Sequence, residues 1–152
     1  MALPEFTITR PIDAPLEAVW EVLHDFGDIQ RWNPGVVASE LTSEGPVGEG
    51  STRNCDFAPF GGVQERIDRH IPHERLTVSL YETSKLPISS AVADFNIAEK
   101  DGGTELTLHY SYTPNFLGRL TAPFTRKLLG RGIGGLAKSL QQESERLAAG
   151  RR

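Results

Sequence analysis

The alternation of apolar and polar residues predicts strands at the start and through the middle of the chain, with helices after the first strand and at the end. The opening EFTITRPI alternates with a period of two, which is typical of a half-buried strand. The next segment changes to helical spacing, with one apolar face formed by Leu16, Val19, Trp20 and Leu23. The run GDIQRW predicts a second short helix, which NPG ends.

Six further strand-like segments follow, separated by glycine, proline or charged turn residues. They are VVASEL, GSTRNCDF, GVQERIDRH, RLTVSLYET, SSAVADFNIAEK and TELTLHYSYTP. Short apolar-alternating runs joined by such turns indicate a meander of antiparallel strands.

The clearest hairpin has the dipeptide Asp101-Gly102 at its tip, which predicts a two-residue loop. Counting back from this loop gives one apolar face, with the facing pairs Ile97–Leu106, Phe95–Leu108, Ala93–Tyr110 and Ala91–Tyr112. We expect this face to point inward. The opposite face pairs Asp94 with His109, which we interpret as a surface pair.

The last segment repeats apolar residues at helical spacing and predicts a long C-terminal helix. One stripe is formed by Leu117, Leu120, Phe124, Leu128, Leu136 and Leu140. Pro123 predicts a kink or a break in this helix. Four glycines between positions 130 and 135 are unfavourable inside a helix. They either let the helix approach the sheet closely or leave space for a cavity.

The order of elements predicts an α+β fold that spans residues 1–152 as one domain. It is a curved seven-stranded antiparallel sheet wrapped around a long C-terminal helix, with two short helices after the first strand. A sheet of this width is broader than one helix can cover. We therefore expect a hollow between the sheet and the helix.

A carboxylate on the inner face of the fourth predicted strand needs an explanation. Val63, Glu65 and Ile67 share one side of GVQERIDRH, yet burying an unpaired charge is costly. On the preceding strand, Arg53 would lie directly or diagonally across from Glu65. Our hypothesis is a polar spot that orients a ligand in an apolar cavity. The alternative is an ordinary cross-strand ion pair near the sheet edge.

Aromatic residues supply further candidates for the lining of this cavity. Buried tyrosines need a hydroxyl partner, which a ligand would supply, although Tyr110 and Tyr112 are equally compatible with a plain core. Trp32 is either a ligand wall or a plug, and the segment DFAPFGG is either a lid or packing against the C-terminal helix. The full predicted set is Trp32, Arg53, Phe57, Phe60, Glu65, Leu80, Phe95, Leu108, Tyr110, Tyr112, Phe124 and Leu128.

Composition narrows the class of protein. The 152 residues carry a net charge of −4 with acids and bases well mixed, which argues against a nucleic-acid binder. The single cysteine, Cys55, excludes an intrachain disulfide, and no signal peptide or membrane span is evident, so we expect a cytoplasmic protein. The four histidines show no metal-ligand spacing, and we expect no metal and no cofactor.

Four segments of the sequence together resemble a known protein family. IDAPLEAVWEVLHDFGDIQRWNPGV, VGEGSTRNC, GGVQERIDRHIPHERLTVSLYE and DGGTELTLHYSYTP, followed by a terminal helix, resemble the polyketide cyclase/dehydrase-like members of the START-related (SRPBCC) superfamily. The resemblance covers nearly the whole chain. It implies a helix-grip fold around an apolar pocket. Members range from lipid and hormone carriers to cyclases and dehydrases, and the group has no shared catalytic set.

Two loops also resemble parts of the plant abscisic-acid receptors. DFAPFGGVQERID is similar to their gate region, and YETSKLPIS lies where their latch loop lies. Those receptors place a lysine early in the sheet to bind the hormone carboxylate, and GVVASEL has none. The resemblance therefore does not extend to their ligand.

These observations lead to three hypotheses of function. The leading one is a binding protein for a small hydrophobic molecule of aromatic, polyketide-like or lipid-like character. The second is a cyclase- or dehydrase-type enzyme without a metal, in which Glu65 acts as general acid or base. The third is a protein-interaction module of the chaperone-activator kind. As partners we expect the small molecule, no nucleic acid and no stable membrane insertion, and a homodimer is left open.

Overall fold

The computed structural model describes residues 3–151. The seven strands are β1 (Glu5–Ile12), β2 (Val36–Leu41), β3 (Thr52–Phe57), β4 (Gly62–Ile71), β5 (Arg75–Ser84), β6 (Ile88–Lys100) and β7 (Gly103–Pro114). The helices are α1 (Leu16–His24), a 3-10 helix (Phe26–Arg31), α2 (Phe116–Leu120) and α3 (Ala122–Ala149).

The strands form one antiparallel sheet in the order β1-β7-β6-β5-β4-β3-β2. The chain has the predicted helix-grip fold, with a curved sheet, two short helices after β1 and a long C-terminal helix. The hairpin register is also confirmed, since Lys100 pairs with Gly103 and Ala91 with Tyr112. Asp101 and Gly102 have φ angles of 50° and 82°, as a type I′ turn requires.

The core lies between the inner face of the sheet and the helices α1 and α3. Its centre includes Val19 of α1, Leu106 and Leu108 of β7, and Leu140 of α3, all fully buried. Helix α3 lies against α1, β1 and β7. At the other edge of the sheet, the 3-10 helix contacts β2.

The C-terminal helical segment breaks where Pro123 predicts it, and its orientation differs from the predicted one. A short α2 ends at Leu120, and α3 begins at Ala122 with proline in its first turn. The buried face of α3 includes Thr125, Ile133, Ala137, Leu140, Ser144 and Ala148. This face is about one residue, or 100°, away from Phe124 and Leu128.

The helix glycines have different environments. Gly130 approaches the ring of Phe6, where an added Cβ atom would lie 3.4 Å from the ring. Gly132, Gly134 and Gly135 have no heavy atom within 4 Å of an added Cβ. Close approach to the sheet therefore explains only Gly130.

Two predicted partners on the outer face are different in the structure. His109 faces Asp94 in the register, but its Nδ1 atom lies 3.1 Å from the Thr7 hydroxyl. Asp94 instead accepts hydrogen bonds from the Arg75 guanidinium at 2.7 and 2.9 Å. A guanidinium presents two parallel donors to a carboxylate, which an imidazole ring does not.

Candidate functional site

The polar pair predicted from the parity of β3 and β4 is present on the inner face of the sheet. Arg53 and Glu65 are direct cross-strand partners, and only 7% and 6% of their surfaces are exposed. Arg53 Nε donates to Glu65 Oε2 at 2.6 Å, and the terminal Nη2 atom contacts the same oxygen. The pair is thus buried among apolar side chains, away from the sheet surface.

Phe26 of the 3-10 helix contacts the rest of the Arg53 guanidinium. Its Nη1 atom donates to the backbone carbonyl of Phe26 at 2.7 Å, and its carbon lies 3.9 Å from the centre of the Phe26 ring. These contacts combine a charged hydrogen bond with a cation–π interaction. They fix the guanidinium and, through it, the orientation of Glu65.

The second oxygen of Glu65 has no donor. Both contacts from Arg53 go to Oε2, and no residue within 3–151 donates a hydrogen bond to Oε1. A carboxylate in an ion pair only accepts hydrogen bonds. Oε1 is therefore an acceptor without a donor in the described chain.

A row of paired residues connects this acceptor to the aromatic side of the sheet. Across the strands, Glu65 faces Leu80, Leu80 faces Ala91, and Ala91 faces Tyr112. The neighbouring row places Ala93 beside Tyr110. Alanine side chains fill little volume, so side chains in the middle of these two rows fill less space than those on either side.

The two tyrosines stand at one end of this row, and their hydroxyls have no hydrogen-bond partner in the described chain. Their ring centres are 6.5 Å apart, and the Tyr112 ring also stacks on Phe6. Burial, and next the negative charge of Glu65, raise the pKa of Tyr110 above its usual value. The Tyr110 hydroxyl therefore keeps its proton and remains a donor.

Trp32 contributes a further unpartnered donor. Its Nε1 atom is buried, and no acceptor lies within hydrogen-bond distance in the described structure. The ring follows the 3-10 helix and packs in a small cluster with Ile29, Val36 and Cys55. A buried N–H without an acceptor is costly, and a bound acceptor would remove that cost.

Cys55 is buried two residues after Arg53 on β3. Burial, and next the charge of Glu65, raise the pKa of its thiol to about 12. The thiol is therefore protonated at neutral pH and is a poor nucleophile.

The gate-like loop after β3 contacts the latch-like loop after β5. Phe57 is half-buried against the core, while Phe60 is exposed. Gly61 has a φ of 99°, and an added Cβ atom there would lie 2.8 Å from a methyl group of Leu86. The two loops therefore close against each other at this end of the sheet.

Two pockets of the described chain lie outside the predicted hollow. One, of about 410 Å³, lies beside the gate-like loop and is lined by Phe57, Phe60, Gln64 and Lys85, among others. The other, of about 340 Å³, lies beside the Asp101-Gly102 turn. Between the sheet and α3, the inner-face side chains are buried.

The structure brings together most of the predicted lining residues. Seven lie buried on the inner face, namely Arg53, Glu65, Leu80, Phe95, Leu108, Tyr110 and Tyr112. Trp32 and Phe57 border this group. Phe124 and Leu128 are 68% and 48% exposed, so the structure does not place them in the lining. Phe60 is exposed on the gate-like loop.

The structure also shows an aromatic cluster that the sequence did not predict. The rings of His24 and His70 have their centres 5.2 Å apart, and Trp20 contacts both. Burial, and next repulsion from His24, lower the pKa of His70. The residues come from α1 and the end of β4, so no local spacing could have revealed the cluster.

Within residues 3–151, no group of three or more histidine, cysteine or acidic side chains is arranged to hold a metal ion. The described helices include none that is long and apolar enough to cross a membrane.

Comparison with known proteins places the chain in a family. The profile of the family described as polyketide cyclase/dehydrase and lipid transport matches residues 4–145. The chain therefore belongs to this family of helix-grip proteins. No curated protein sequence matches the chain.

Solved structures share the fold at low sequence identity. The Zhui aromatase/cyclase from a Streptomyces species is 19% identical, covers 95% of both chains and has a TM-score of 0.80. A protein from Thermus thermophilus is also 19% identical, with 96% and 99% coverage and a TM-score of 0.79. Ara h 8.0201 is 11% identical, with 94% and 98% coverage and a TM-score of 0.75.

Proposed function

We propose that the chain binds a small hydrophobic molecule between the sheet and α3, with its polar groups against the inner-face row. The observation that carries this proposal is the set of unpartnered polar atoms in an apolar interior. They are the fully buried indole N–H of Trp32, together with Glu65 Oε1 and the hydroxyls of Tyr110 and Tyr112, which form no hydrogen bond within residues 3–151 but are not fully enclosed. Buried polar groups are normally hydrogen-bonded, so these atoms indicate where a ligand would bond.

The types of these atoms define the chemistry of the ligand. A carboxylate oxygen needs a hydroxyl or N–H from the ligand, whereas the indole N–H needs an acceptor such as a carbonyl. The hydroxyls of the two tyrosines can bond to either a donor or an acceptor of the ligand. The surrounding leucine, phenylalanine and alanine side chains favour a flat apolar body. We therefore favour a hydroxylated aromatic ketone, the chemistry of aromatic polyketides.

Entry of the ligand requires movement of the gate-like loop. The inner-face side chains are buried, and the contact between Gly61 and Leu86 closes the end of the sheet near Phe57. Phe57 and Arg53 both lie on β3, so we expect the opening of this contact to give access toward Arg53 and Glu65. Loops that close over a site commonly exclude water from it in this way.

Tryptophan fluorescence titration tests the proposal with two probes. Hydroxyacetonaphthone carries one hydroxyl and one ketone on a flat bicyclic ring, and naphthalene carries neither. We expect the first probe to bind at least about tenfold more tightly, since one or two hydrogen bonds to charged or buried groups differ between them. Equal affinity for the two probes would show that the polar groups of the inner face do not contact the ligand.

The variant Tyr110→Phe/Tyr112→Phe should weaken binding of hydroxyacetonaphthone about fivefold to tenfold and leave naphthalene unaffected. The matched control is Tyr81→Phe, because Tyr81 lies on the outer face with its ring beside Arg66. The control should change neither affinity. If neither probe binds saturably, the interior holds no such ligand, and the interaction-module hypothesis gains.

The enzymatic alternative makes a different prediction for Glu65. In a carrier, Glu65→Gln keeps a ligand acceptor and retains most of the binding. In a cyclase- or dehydrase-type enzyme, the same change abolishes turnover of a linear polyketone while binding persists. Unchanged product formation in the variant would exclude the acid/base role.

A further inference from the structure

Five large apolar side chains on α2 and the start of α3 point to solvent. They are 48–73% exposed and comprise Phe116, Leu117, Leu120, Phe124 and Leu128. We call this surface the docking face. Contiguous exposed apolar patches on folded proteins commonly mark an interaction surface.

The same segment is strongly basic. The side chains Arg119, Arg126, Lys127 and Arg131 lie within it and are exposed, and no acidic residue occurs from position 115 to 142. The chain as a whole has a net charge of −4. Among residues 3–151, none of these four cations forms an ion pair with a carboxylate. The docking face is therefore a positive region on a negative protein.

Helical geometry puts apolar and basic groups on one side of α3. Each residue turns the helix by about 100°, so Lys127 and Arg131 project within about 60° of Phe124. Thr125 and Ile133 turn toward the core and are buried. The outward side thus combines apolar groups with cations, and these are the two kinds of side chain that bind proteins to the surface of an anionic membrane.

The fold holds this face outward. Asn115 caps α2 by accepting a hydrogen bond from Gly118 N at 2.9 Å, and it donates to the carbonyl of Leu86 at 2.8 Å. A Cβ atom at Gly118 would lie 1.9 Å from the carbonyl oxygen of Pro87. The buried Thr125 hydroxyl donates to the carbonyl of Gly118 and joins the two helices. The exposed apolar side chains therefore belong to a helical segment that the rest of the fold holds in place.

Charge decides which partner suits the docking face. A second copy of the chain in a two-fold contact would bring the same four cations against each other, and like charges across an interface are unfavourable. We propose that the docking face binds the surface of an anionic phospholipid membrane. Its phenylalanine and leucine side chains enter the boundary of headgroups and acyl chains, while Lys127 and Arg131 meet lipid phosphates. This inference does not depend on the interior ligand.

Vesicle flotation of the full chain tests the proposal. Phosphatidylcholine vesicles with roughly one-third phosphatidylserine should bind at least about tenfold more protein than pure phosphatidylcholine vesicles. Raising the salt to about 1 M should reduce the binding, because the charges are then screened within about 3 Å. Equal binding to both kinds of vesicle, or none to either, would overturn the proposal.

Two variants and two controls locate the contact. Phe124→Ser/Leu128→Ser and Lys127→Glu/Arg131→Glu should each weaken vesicle binding at least about tenfold. The controls Val37→Ser and Arg69→Glu change exposed residues elsewhere and should bind like the unmodified chain. The residues changed in all four proteins are exposed, so we expect each protein to fold, and its melting temperature checks this. Equal loss in controls and variants, or dimerisation that disappears with Phe124→Ser/Leu128→Ser, would contradict a membrane partner.

Discussion

Two arginine–carboxylate pairs lie on opposite faces of the same sheet, and they are completed differently. On the outer face, Arg75 donates to both oxygens of Asp94, and the Thr77 hydroxyl adds a third bond at 2.8 Å. On the inner face, Arg53 contacts only one oxygen of Glu65. Both oxygens of Asp94 therefore have donors within the protein, whereas one oxygen of Glu65 has none in the described chain.

The two pairs also differ in burial. The outer pair is partly exposed, with 33% of the Arg75 side chain and 15% of the Asp94 side chain accessible. Such pairs stabilise a fold modestly. A buried pair is seldom the most stable solution for a core, since an apolar replacement often serves as well or better. We therefore interpret the open oxygen of Glu65 as the contact for the proposed ligand.

The largest expected effect comes from removing one partner of the inner pair. Arg53→Met should lower the free energy of unfolding by about 3–5 kcal/mol, because it leaves the Glu65 carboxylate buried and unpaired. Arg75→Met, the matched change on the outer face, should cost about 1 kcal/mol or less. Urea denaturation followed by circular dichroism measures both values. Equal costs would show that the two pairs are equivalent.

A double variant sharpens the result for the inner pair. Arg53→Met/Glu65→Leu removes both charges and should recover most of the stability lost in Arg53→Met. It should also lose the preference for hydroxyacetonaphthone over naphthalene. Recovery of stability with an unchanged preference would separate the pair from binding and contradict our account.

The outer pair should make a smaller, acid-dependent contribution. Burial opposes ionisation of Asp94, but hydrogen bonds from Arg75 and Thr77 outweigh it and hold the pKa of Asp94 below its usual 3.8. A depressed carboxyl pKa contributes stability that is present above pH 3.8 and is lost as the pH falls through the folded-state value. Asp94→Asn should remove this part of the acid dependence, by about 1 kcal/mol or less. Melting temperatures between about pH 2 and 6 measure it, and an unchanged profile would contradict the assignment.

The smallest expected effect concerns the tyrosine hydroxyls. Tyr110→Phe/Tyr112→Phe should leave the free energy of unfolding within about 0.5 kcal/mol, because no protein hydrogen bond is lost. Thr77→Val, which removes a satisfied donor on the outer face, should cost about 1 kcal/mol. A larger loss for the tyrosine variant than for Thr77→Val would show that the hydroxyls already have partners.

Local patterns predicted much of this molecule. The Asp101-Gly102 loop fixed the β6–β7 register, because a two-residue turn leaves only one alignment. Alternation along β3 and β4 placed Arg53 directly or diagonally across from Glu65 on one face, and the structure pairs them directly. The fold followed from the order of such elements.

The orientation of α3 could not be predicted in this way. Its first turns have apolar residues on two sides, and the predicted stripe through Phe124 and Leu128 is exposed. The core instead receives Thr125 and Ile133. That choice depends on the docking of Gly118 against the Pro87 carbonyl, a contact between residues that are distant in sequence. Hydrophobic spacing carries no information about such contacts.

The most direct test of the open Glu65 oxygen is a nuclear magnetic resonance titration with side-chain carboxyl carbons labelled. Hydroxyacetonaphthone should move the Glu65 resonance, identified by its loss in Glu65→Gln, while the Asp94 resonance stays in place. Naphthalene should move neither. If hydroxyacetonaphthone binds and the Glu65 resonance does not move, the carboxylate is not a ligand contact and the account is wrong.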